Sequence, residues 1–443
     1  MQMPGAEAPH AHSSRDGGNA NTSVSRPLGF WSATALVVGS MVGAGVFLLP
    51  ASLAPFGAAS LLGWSVTLAG AVLLALTFAR LAQRWPQTGG PYAYARNVFG
   101  ELTGFVIAWS YWISVWCANA AIAVAFAGSV GAVFPAATAT PLRAAACALG
   151  ALGVCTAINV AGVREAGRVQ LLTTVLKLVP LLLFGGIALW FVDGANLRPF
   201  NPTGESLSSV TQATVALTLF ALLGLEAATI PAGAIVDPAR TIPRATVLGT
   251  LLAGVATVLA CTAVIGLLPA STLKDSAAPM AEAARVAWGP AAAIAIAVVA
   301  AISCLGCLNG WVLVSGQMPL AMARDRVLPP AFAWTDARGT PAFGIVASSA
   351  MASVLVMTNY SDSLVQVFTF SILLSTAATL LPYVVCSAAW LWRGDGVISR
   401  GIAALALAYG LYALLGIGRD ALFWGAVLVA SGLPLHALLR SRR

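Results

Sequence analysis

Two ionisable side chains lie deep inside apolar stretches of this chain, where they could bind a charged ligand or a proton. Glu226 lies in the segment 214–235, TVALTLFALLGLEAATIPAGAI, and Lys177 lies in the segment 169–184, VQLLTTVLKLVPLLLF. A charge at the centre of a bilayer costs about 2.5–3.5 kcal/mol even on the most lenient scale, so such residues usually mark a substrate or proton pathway. We therefore expect Glu226 to provide a negative charge for a cationic substrate, or to bind and release a proton.

Both residues also have a purely structural interpretation. Glu226 could accept a buried hydrogen bond that only holds helices together. Lys177 could extend its ammonium to the nearest membrane surface. It follows Arg168 by about nine residues, which is roughly 13 Å along a helix and near the limit of that reach. The sequence leaves these alternatives open.

The composition predicts an integral membrane protein. Of the 443 residues, 59% are hydrophobic and only 9% are charged, and the mean hydropathy is +0.87. A soluble protein carries about 25% charged residues, so this chain has too few charges to cover a water-facing surface. The net charge is +8. Because the basic residues form no dense run, we expect no nucleic-acid partner.

Several function classes find no support in the sequence. The histidines are His10, His12 and His436, and no histidine cluster or pair of acids lies in the apolar stretches. We therefore expect no enzyme, no metal site and no cofactor. A non-transporting receptor is a distant alternative, because no sensor or signalling domain is evident. Cys304 and Cys307 form a CxxC pattern, which we interpret as small-residue helix packing rather than a redox pair.

Windows of about 20 apolar residues predict about twelve transmembrane helices. The windows are 29–50, 58–80, 102–133, 142–161, 169–192, 209–234, 245–268, 289–318, 341–358, 364–391, 401–417 and 421–439. Residues 1–26 are polar and lack an apolar core, so we expect a disordered cytoplasmic tail and not a signal peptide. Most of the 23 Lys and Arg residues fall on the side of the N-terminus if the spans alternate, which predicts that both termini are cytoplasmic.

Glycines interrupt two of the predicted spans at corresponding positions. The first span contains Gly39, Gly43 and Gly45, and the sixth contains Gly224 next to Glu226. Small residues at this spacing also allow close helix packing. Interrupted helices at matching places in two halves of a chain, however, indicate a transporter site. There, free N–H groups can bind a carboxylate and free carbonyls can bind a cation, and an α-amino acid carries both groups.

At the level of motifs, the chain resembles the amino acid–polyamine–organocation transporters. Within that superfamily it is most similar to the bacterial arginine/agmatine antiporter and to basic amino acid/polyamine antiporters. The resemblance covers nearly the whole chain after residue 28. The motifs that carry it are GSMVGAGVFLLPA (39–51), TGGPYAYARNVFG (88–100), GLEAAT (224–229), VDPARTIPRAT (236–246), CLGCLNGW (304–311) and the segment Pro330–Ala333.

The resemblance implies an all-α integral membrane protein with two inverted five-helix repeats, in which helices 1 and 6 are broken, plus two C-terminal helices. On this basis residues 27–200 form the first repeat, residues 201–392 the second, and residues 393–443 the last two spans with a basic cytoplasmic end. The motif 88–100 is expected to be a cytoplasmic connector or a short re-entrant segment. A homodimer is compatible with the family.

The resemblance also implies roles for individual residues. The substrate-binding positions are Ser40, Gly43, Ala44, Gly45, Ser114, Val115, Asn119, Ile122, Phe220, Ala221, Trp311 and Ser375. The gating positions are Tyr111, Phe368 and Tyr383, and the proton or coupling positions are Glu226 and Lys177. Ser40, Phe220 and Ala221 differ from the arginine antiporter, which has Asn, Trp and Ser there. These changes weaken the prediction of a guanidinium substrate in particular.

The function that these observations favour is secondary active transport in the bacterial inner membrane. Our first hypothesis is the exchange of a basic, arginine-like amino acid for its agmatine-like amine product by alternating access. The alternative is a proton-coupled carrier or exporter of neutral amino acids, which Ser40, Phe220 and Lys177 favour. The expected partners are a small amino acid or polyamine, the lipid bilayer and, in the coupled case, protons.

Overall fold

The computed structural model describes residues 28–87, 89–161, 166–336, 339–359 and 361–440, so the predicted tail lies outside the described residues. The described part is built from α-helices and short 3-10 turns. The α-helices are α1 (Phe30–Met41), α2 (Ala44–Leu53), α3 (Ser60–Arg84), α4 (Pro91–Phe99), α5 (Glu101–Val133), α6 (Pro141–Ala161), α7 (Ala166–Ala188), α8 (Leu207–Phe220), α9 (Pro238–Leu267), α10 (Ala270–Leu273), α11 (Pro279–Trp288), α12 (Pro290–Arg324), α13 (Ala342–Thr358), α14 (Leu364–Arg393), α15 (Val397–Leu415), α16 (Arg419–Ala430) and α17 (Gly432–Arg440).

The length and apolar composition of these helices fit a protein that crosses the membrane many times. Within the described part, nine segments are long and apolar enough to span, and α8 and α13 are shorter apolar helices. The first of the nine, Phe30–Arg84, runs through α1, α2 and α3. The all-α fold class is therefore confirmed. The total of twelve spans and the division into two inverted repeats stay predictions.

Helix α5 forms the centre of the bundle. It packs along α12 on one side and α14 on another, and also contacts α6 and α13. Most of its side chains from Gly104 to Ser129 are buried, as expected for a helix that is apolar on all faces. Because α5 is enclosed in this way, polar side chains on it lie between helices rather than in lipid.

The first span is broken, as the glycines predicted. Helix α1 ends at Met41, Val42 has an extended conformation (φ −78°, ψ 95°), and α2 begins at Ala44. Gly43 has φ −153° and ψ −138°, outside the helical region. We call the end of the bundle where α1 begins the α1 end, and the opposite end, where α2 terminates, the α2 end.

The sixth span is broken more extensively than the sequence predicted. A continuous span over 209–234 is wrong in its second half, because α8 ends at Phe220 and the chain then follows turns and two 3-10 turns, Ala227–Thr229 and Ala232–Ala234. Gly224 has φ +100°, a conformation that an L-residue rarely adopts. Pro231 lacks an N–H and stops a helix from re-forming.

The motif 88–100 does not span the membrane but forms the short helix α4. Gly89 N–H donates to the Ile230 carbonyl, with 3.2 Å between N and O. A side chain at Gly90 would lie 2.5 Å from Thr229 Oγ1. The connector therefore closes directly onto the broken part of the sixth span at the α1 end.

Two hydrogen bonds also join the residue before α1 to the end of the broken sixth span. Leu28 N–H donates to the Ala234 carbonyl (3.1 Å), and Val236 N–H donates to the Leu28 carbonyl (2.9 Å). The pair Leu28 and Ile235 forms a parallel β-bridge. The residue that precedes α1 is thus tied to the segment that follows the second break.

Candidate substrate and coupling site

The two helix breaks lie against each other at the centre of the bundle. A Cβ atom at Gly45 would lie 2.8 Å from the Ala221 Cα, and one at Gly224 would lie 2.9 Å from the Ser40 Cβ. Contacts this short exclude any larger side chain without movement of the backbone. The glycines are therefore required by the close approach of the breaks as well as by the conformation of Gly224.

Helix α12 closes one side of the breaks through two side chains. Trp311 donates its indole N–H to the Ser40 carbonyl at 3.2 Å. The Cys307 Sγ lies 3.9 Å from the same carbonyl oxygen, and a Cβ atom at Gly43 would lie 2.5 Å from that sulfur. The last turn of α1 is thus held by α12 through a backbone carbonyl that helix geometry leaves free.

A small cavity of about 30 Å³ lies between the breaks, α5 and α12. Seven of the predicted substrate-binding residues line it: Ser40, Gly43, Ala44, Gly45, Ile122, Phe220 and Trp311. Four further residues that the sequence did not indicate also line it: Met41, Ala118, Leu223 and Cys307. Helical spacing could have indicated Cys307, since it precedes Trp311 by one turn of α12.

The cavity is too small for an amino acid in this conformation. Small-molecule sites usually measure about 300–1,000 Å³, whereas a single water needs about 10–15 Å³. A cavity of about 30 Å³ therefore has room only for water-sized ligands. If this is the binding site, the surrounding helices must separate before a substrate enters.

The other predicted substrate-binding residues lie close by but do not line the cavity. The Ser375 hydroxyl donates to the Ser114 carbonyl (2.9 Å), and the Ser114 hydroxyl donates to the Tyr111 carbonyl (2.7 Å). These bonds join α14 to α5. Val115 is buried, and Ala221 lies against Gly45.

Asn119 is the buried polar side chain with the clearest unmet hydrogen-bonding capacity near the cavity. It is fully buried on α5, and neither Nδ2 nor Oδ1 has a partner among the described residues. It precedes the cavity residue Ile122 by three positions, so both lie on one helix face. Leaving a buried polar group unpaired costs about 1–3 kcal/mol, so a ligand that paired with Asn119 would recover that cost.

Glu226 joins three elements through its two carboxylate oxygens. The Tyr111 hydroxyl on α5 donates to Oε1 (2.7 Å), and the Tyr383 hydroxyl on α14 donates to Oε2 (2.6 Å). The side chain is almost completely buried. Hydrogen bonds to a carboxylate are about twice as strong as neutral ones. These bonds agree with the structural interpretation of Glu226. They also place the acid between Tyr111 and Tyr383, the two tyrosines for which the resemblance implies a gating role.

Aromatic and hydroxyl contacts separate the cavity from the α2 end. Phe368 packs edge-to-face on Phe220, with ring centroids 6.0 Å apart and planes at 88°. Farther along α2, the Ser52 and Thr369 hydroxyls are 2.6 Å apart and join α2 to α14. Both contacts must break or slide for a path to open from this end.

A polar cluster that no sequence motif indicated closes the α1 end. The Tyr92 hydroxyl on α4 donates to the Asp325 carboxylate, which follows α12, and Arg96 Nη1 bonds the same carboxylate at 2.9 Å. Partial burial and the Asp325 carboxylate raise the pKa of Tyr92 well above its usual value, so the hydroxyl keeps its proton. The cluster ties the connector to α12.

Lys177 lies between α7 and α12, away from either end of the bundle. It is only 4% exposed. A methyl group at Gly306 would lie 3.5 Å from its Cε and 3.7 Å from its Nζ, and Gly306 lies near the middle of α12. This position argues against extension to the membrane surface. Among the described residues, no hydrogen bond or ion pair is formed by Lys177, and none joins it to the carbonyls of 39–42.

Metal ligation has no support in the described part of the chain, where no group of three or more His, Cys, Asp or Glu side chains lies close enough together to hold an ion.

Broken helices packed around a central cavity in a multi-pass bundle define a membrane transport protein. The chain belongs to the amino acid permease family, whose model matches residues 28–430. It is 30% identical over 392 residues to the cadaverine/lysine antiporter of Escherichia coli (strain K12), with 86% of this chain and 87% of the relative covered. It is 27% identical over 429 residues to the putrescine transporter PotE of the same organism (94% and 97% covered). It is 30% identical over 428 residues to a putative arginine/ornithine antiporter of Bacillus subtilis (strain 168; 87% and 91% covered).

Proposed function

We propose that the protein exchanges a basic amino acid for its decarboxylated amine across the bacterial inner membrane. The observation that carries the proposal is the contact of two helix breaks around one cavity, with the buried acid Glu226 beside it. The names of the relatives, which refer to lysine, cadaverine, putrescine, arginine and ornithine, support this class of substrate.

The backbone at the first break recognises the α-amino acid end of the substrate. The first N–H groups of α2, at Ala44 and Gly45, have no intrahelical acceptor and point toward the carboxylate. The last carbonyls of α1 accept hydrogen bonds from the α-ammonium. Recognition through the backbone explains why the glycines matter more here than any single polar side chain.

The opposite wall of the cavity receives the cationic tail. Phe220 and Trp311, which line the cavity, offer aromatic faces to a cation. Asn119 does not line the closed cavity, but its unpaired amide lies on the same face of α5 as Ile122 and becomes available when the helices separate. Glu226 supplies a negative charge, and in the closed conformation its carboxylate accepts hydrogen bonds from the Tyr111 and Tyr383 hydroxyls. A diamine lacks the carboxylate but keeps both cationic ends, so one cavity can hold either partner of the exchange in turn.

Alternating access follows from the closures at the two ends. We place the α1 end in the cytoplasm, as the distribution of Lys and Arg predicts. The Tyr92–Arg96–Asp325 cluster closes this end, and the Phe220–Phe368 and Ser52–Thr369 contacts close the other. Substrate binding to the breaks separates α1 and α2 from their neighbours on one side at a time.

The test is a counterflow measurement in proteoliposomes. Vesicles are preloaded with lysine, arginine, cadaverine, agmatine, leucine or buffer alone, and the uptake of labelled lysine, arginine and leucine is measured. Exchange predicts uptake of a labelled basic amino acid only when a basic amino acid or diamine is inside. Equal uptake into empty vesicles would contradict exchange.

A second candidate is a proton-coupled carrier of neutral amino acids. It is favoured by the apolar cavity lining at Ile122, Phe220 and Leu223, and by Lys177, a buried charge without a partner among the described residues. In this case Lys177 couples the proton gradient to movement of the first span. Leucine uptake into empty vesicles that follows an imposed pH gradient would support this candidate over exchange.

A further inference from the structure

A second recess, distinct from the central cavity, opens at the α2 end. This cleft has a volume of about 520 Å³, within the range of about 300–1,000 Å³ that is usual for small-molecule sites. Its walls are the end of α2, the connection from α10 to α11, the first turns of α14 and the turn from α15 to α16.

Four charged side chains of both signs line this cleft. Lys274 and Asp275 come from the α10–α11 connection, and Arg419 and Asp420 are the first two residues of α16. Each pair thus provides a basic residue followed by an acidic one. Within the part of the chain that the structure describes, the ion pairs lie elsewhere. The four charges are therefore available to a ligand.

The cleft and the central cavity are both lined by helix α2. The cleft lining contains Ser52 and Thr369, whose hydroxyls join α2 to α14 at 2.6 Å, and we call this pair the floor of the cleft. Ser52 lies eight positions after Ala44, so the floor is about 12 Å along α2 from the central cavity. Opening this floor would connect the two spaces.

We propose that this cleft is an outer binding site for an α-amino acid with a cationic side chain. Lys274 and Arg419 bind the carboxylate, and Asp275 and Asp420 bind the two ammonium groups. The proposal rests on the proposed function and on the outward orientation of the α2 end.

The arrangement of charges discriminates between the two exchange partners. A basic amino acid has one carboxylate and two ammonium groups, and it can pair with both signs of charge in the cleft. Its decarboxylated amine has no anionic group, so Lys274 and Arg419 repel it. The cleft therefore favours entry of the amino acid and release of the amine at the outer face.

The experiment measures initial uptake by cells or right-side-out vesicles preloaded with unlabelled lysine. External labelled lysine and external labelled cadaverine are each varied for the wild type and for the double variant Lys274→Gln/Arg419→Gln. We expect the KM for lysine to rise about three- to tenfold, because exposed charge pairs contribute modestly, while the maximal rate is unchanged and the KM for cadaverine is unchanged or lower. A matched control, Arg143→Gln/Arg198→Gln, removes two exposed charges that do not line the cleft, and its KM values should equal those of the wild type.

The outcomes separate the cleft from the proposed function. An unchanged lysine KM, equal increases for lysine and cadaverine, or the same increase in the control would overturn the cleft site. If the wild type exchanges leucine instead of basic substrates, the proposed substrate class is wrong. The carboxylate recognition is then tested in the same variants with leucine and isoamylamine, its decarboxylated form, and equal changes for both would overturn it.

Discussion

At the scale of single residues, the buried polar side chains near the cavity fall into two groups. Glu226 has both oxygens occupied by tyrosine hydroxyls, and its bonds hold three elements together. Asn119 and Lys177 are buried on α5 and α7. The Asn119 amide has no hydrogen-bond partner among the described residues, and the Lys177 ammonium lies near Gly306 of α12. The bonds of Glu226 stabilise the closed conformation. Asn119 and Lys177 instead carry polar groups that can pair with a ligand or with a helix that moves.

Replacement of Glu226 by Gln should remove the charge without removing the hydrogen-bond acceptor. We expect a folded protein that has lost either the binding of cationic substrates or the pH dependence of exchange. Exchange rate against pH and lysine binding are measured in the variant, with Tyr111→Phe as the matched control that keeps the acid and removes one donor. An unchanged pH profile together with unchanged lysine binding would show that Glu226 is only structural.

Replacement of Asn119 by Leu should lower the affinity for substrate without lowering the thermal stability. A leucine fills a similar volume and removes two unpaired polar atoms, so thermal stability should not fall. If the amide pairs with the substrate tail, affinity should drop about tenfold or more, since a hydrogen bond to a charged group contributes about 1.5–3 kcal/mol. Melting temperature and lysine Kd are compared with those of Ser371→Ala, which removes another buried and unpaired polar group. Equal affinity in Asn119→Leu and the wild type would remove Asn119 from the site.

Lys177 is a buried ionisable residue whose role in transport can be tested by substitution. Lys177→Met keeps much of the volume but removes the charge between α7 and α12, and we expect net transport to fall while substrate binding survives. Lys177→Arg, which keeps the charge, is the control and should retain more activity. Binding and uptake are measured in parallel. Wild-type uptake in Lys177→Met would favour plain exchange without a coupling lysine.

At the scale of elements, the sequence predicted where helices break better than how far the breaks extend. The glycines of the first span and Gly224 indicated both interruptions. The loss of helix from 221 to 235 was not predicted, because each apolar residue there fits a helix pattern. The missing information is tertiary, since Gly224 must approach Ser40 and Trp311, and Thr229 must approach the connector at Gly90.

Gly224→Ala should be among the most damaging small substitutions in the chain. The new Cβ would meet Ser40 at 2.9 Å and Trp311 at 3.1 Å, and φ +100° is unfavourable for alanine. We expect loss of transport and a lower melting temperature. Gly186→Ala is the control, because nothing lies within 4 Å of a Cβ there, and it should behave as the wild type. Normal transport by Gly224→Ala would mean that the two breaks do not stay in contact.

At the scale of the whole molecule, the fold class and family were predictable from composition and motifs, whereas the closures were not. Apolar windows and interrupted spans identify a broken-helix transporter. The Tyr92–Arg96–Asp325 cluster joins residues more than two hundred positions apart, and no local pattern marks it. The cavity residues Met41, Ala118, Leu223 and Cys307 were missed for a related reason, since apolar side chains in a span look alike whether they face lipid, a helix or a ligand.

Asp325→Asn should weaken the closure at the α1 end. The carboxylate is about one third exposed, so we discount its contribution to ~1 kcal/mol, or about a fivefold shift toward the conformation open at this end. Reactivity of a cysteine introduced at Ser387 toward a membrane-permeant thiol reagent would report the opening. Asp395→Asn removes a partner from the exposed pair with Arg84 and should leave this reactivity unchanged. Equal reactivity in both variants would show that the cluster does not control access.

The β-bridge between Leu28 and Ile235 couples a tilt of helix α1 to movement of the sixth span. Helix α1 has 12 residues, so it is about 18 Å long. A tilt of about 20° at Val42 would carry its far end roughly 6 Å. Since Leu28 is hydrogen-bonded on both sides to Ala234 and Val236, after the second break, we expect this tilt to move the irregular second half of the sixth span as well. We therefore expect the two breaks to open together, so that a substrate that loosens one of them also releases the other.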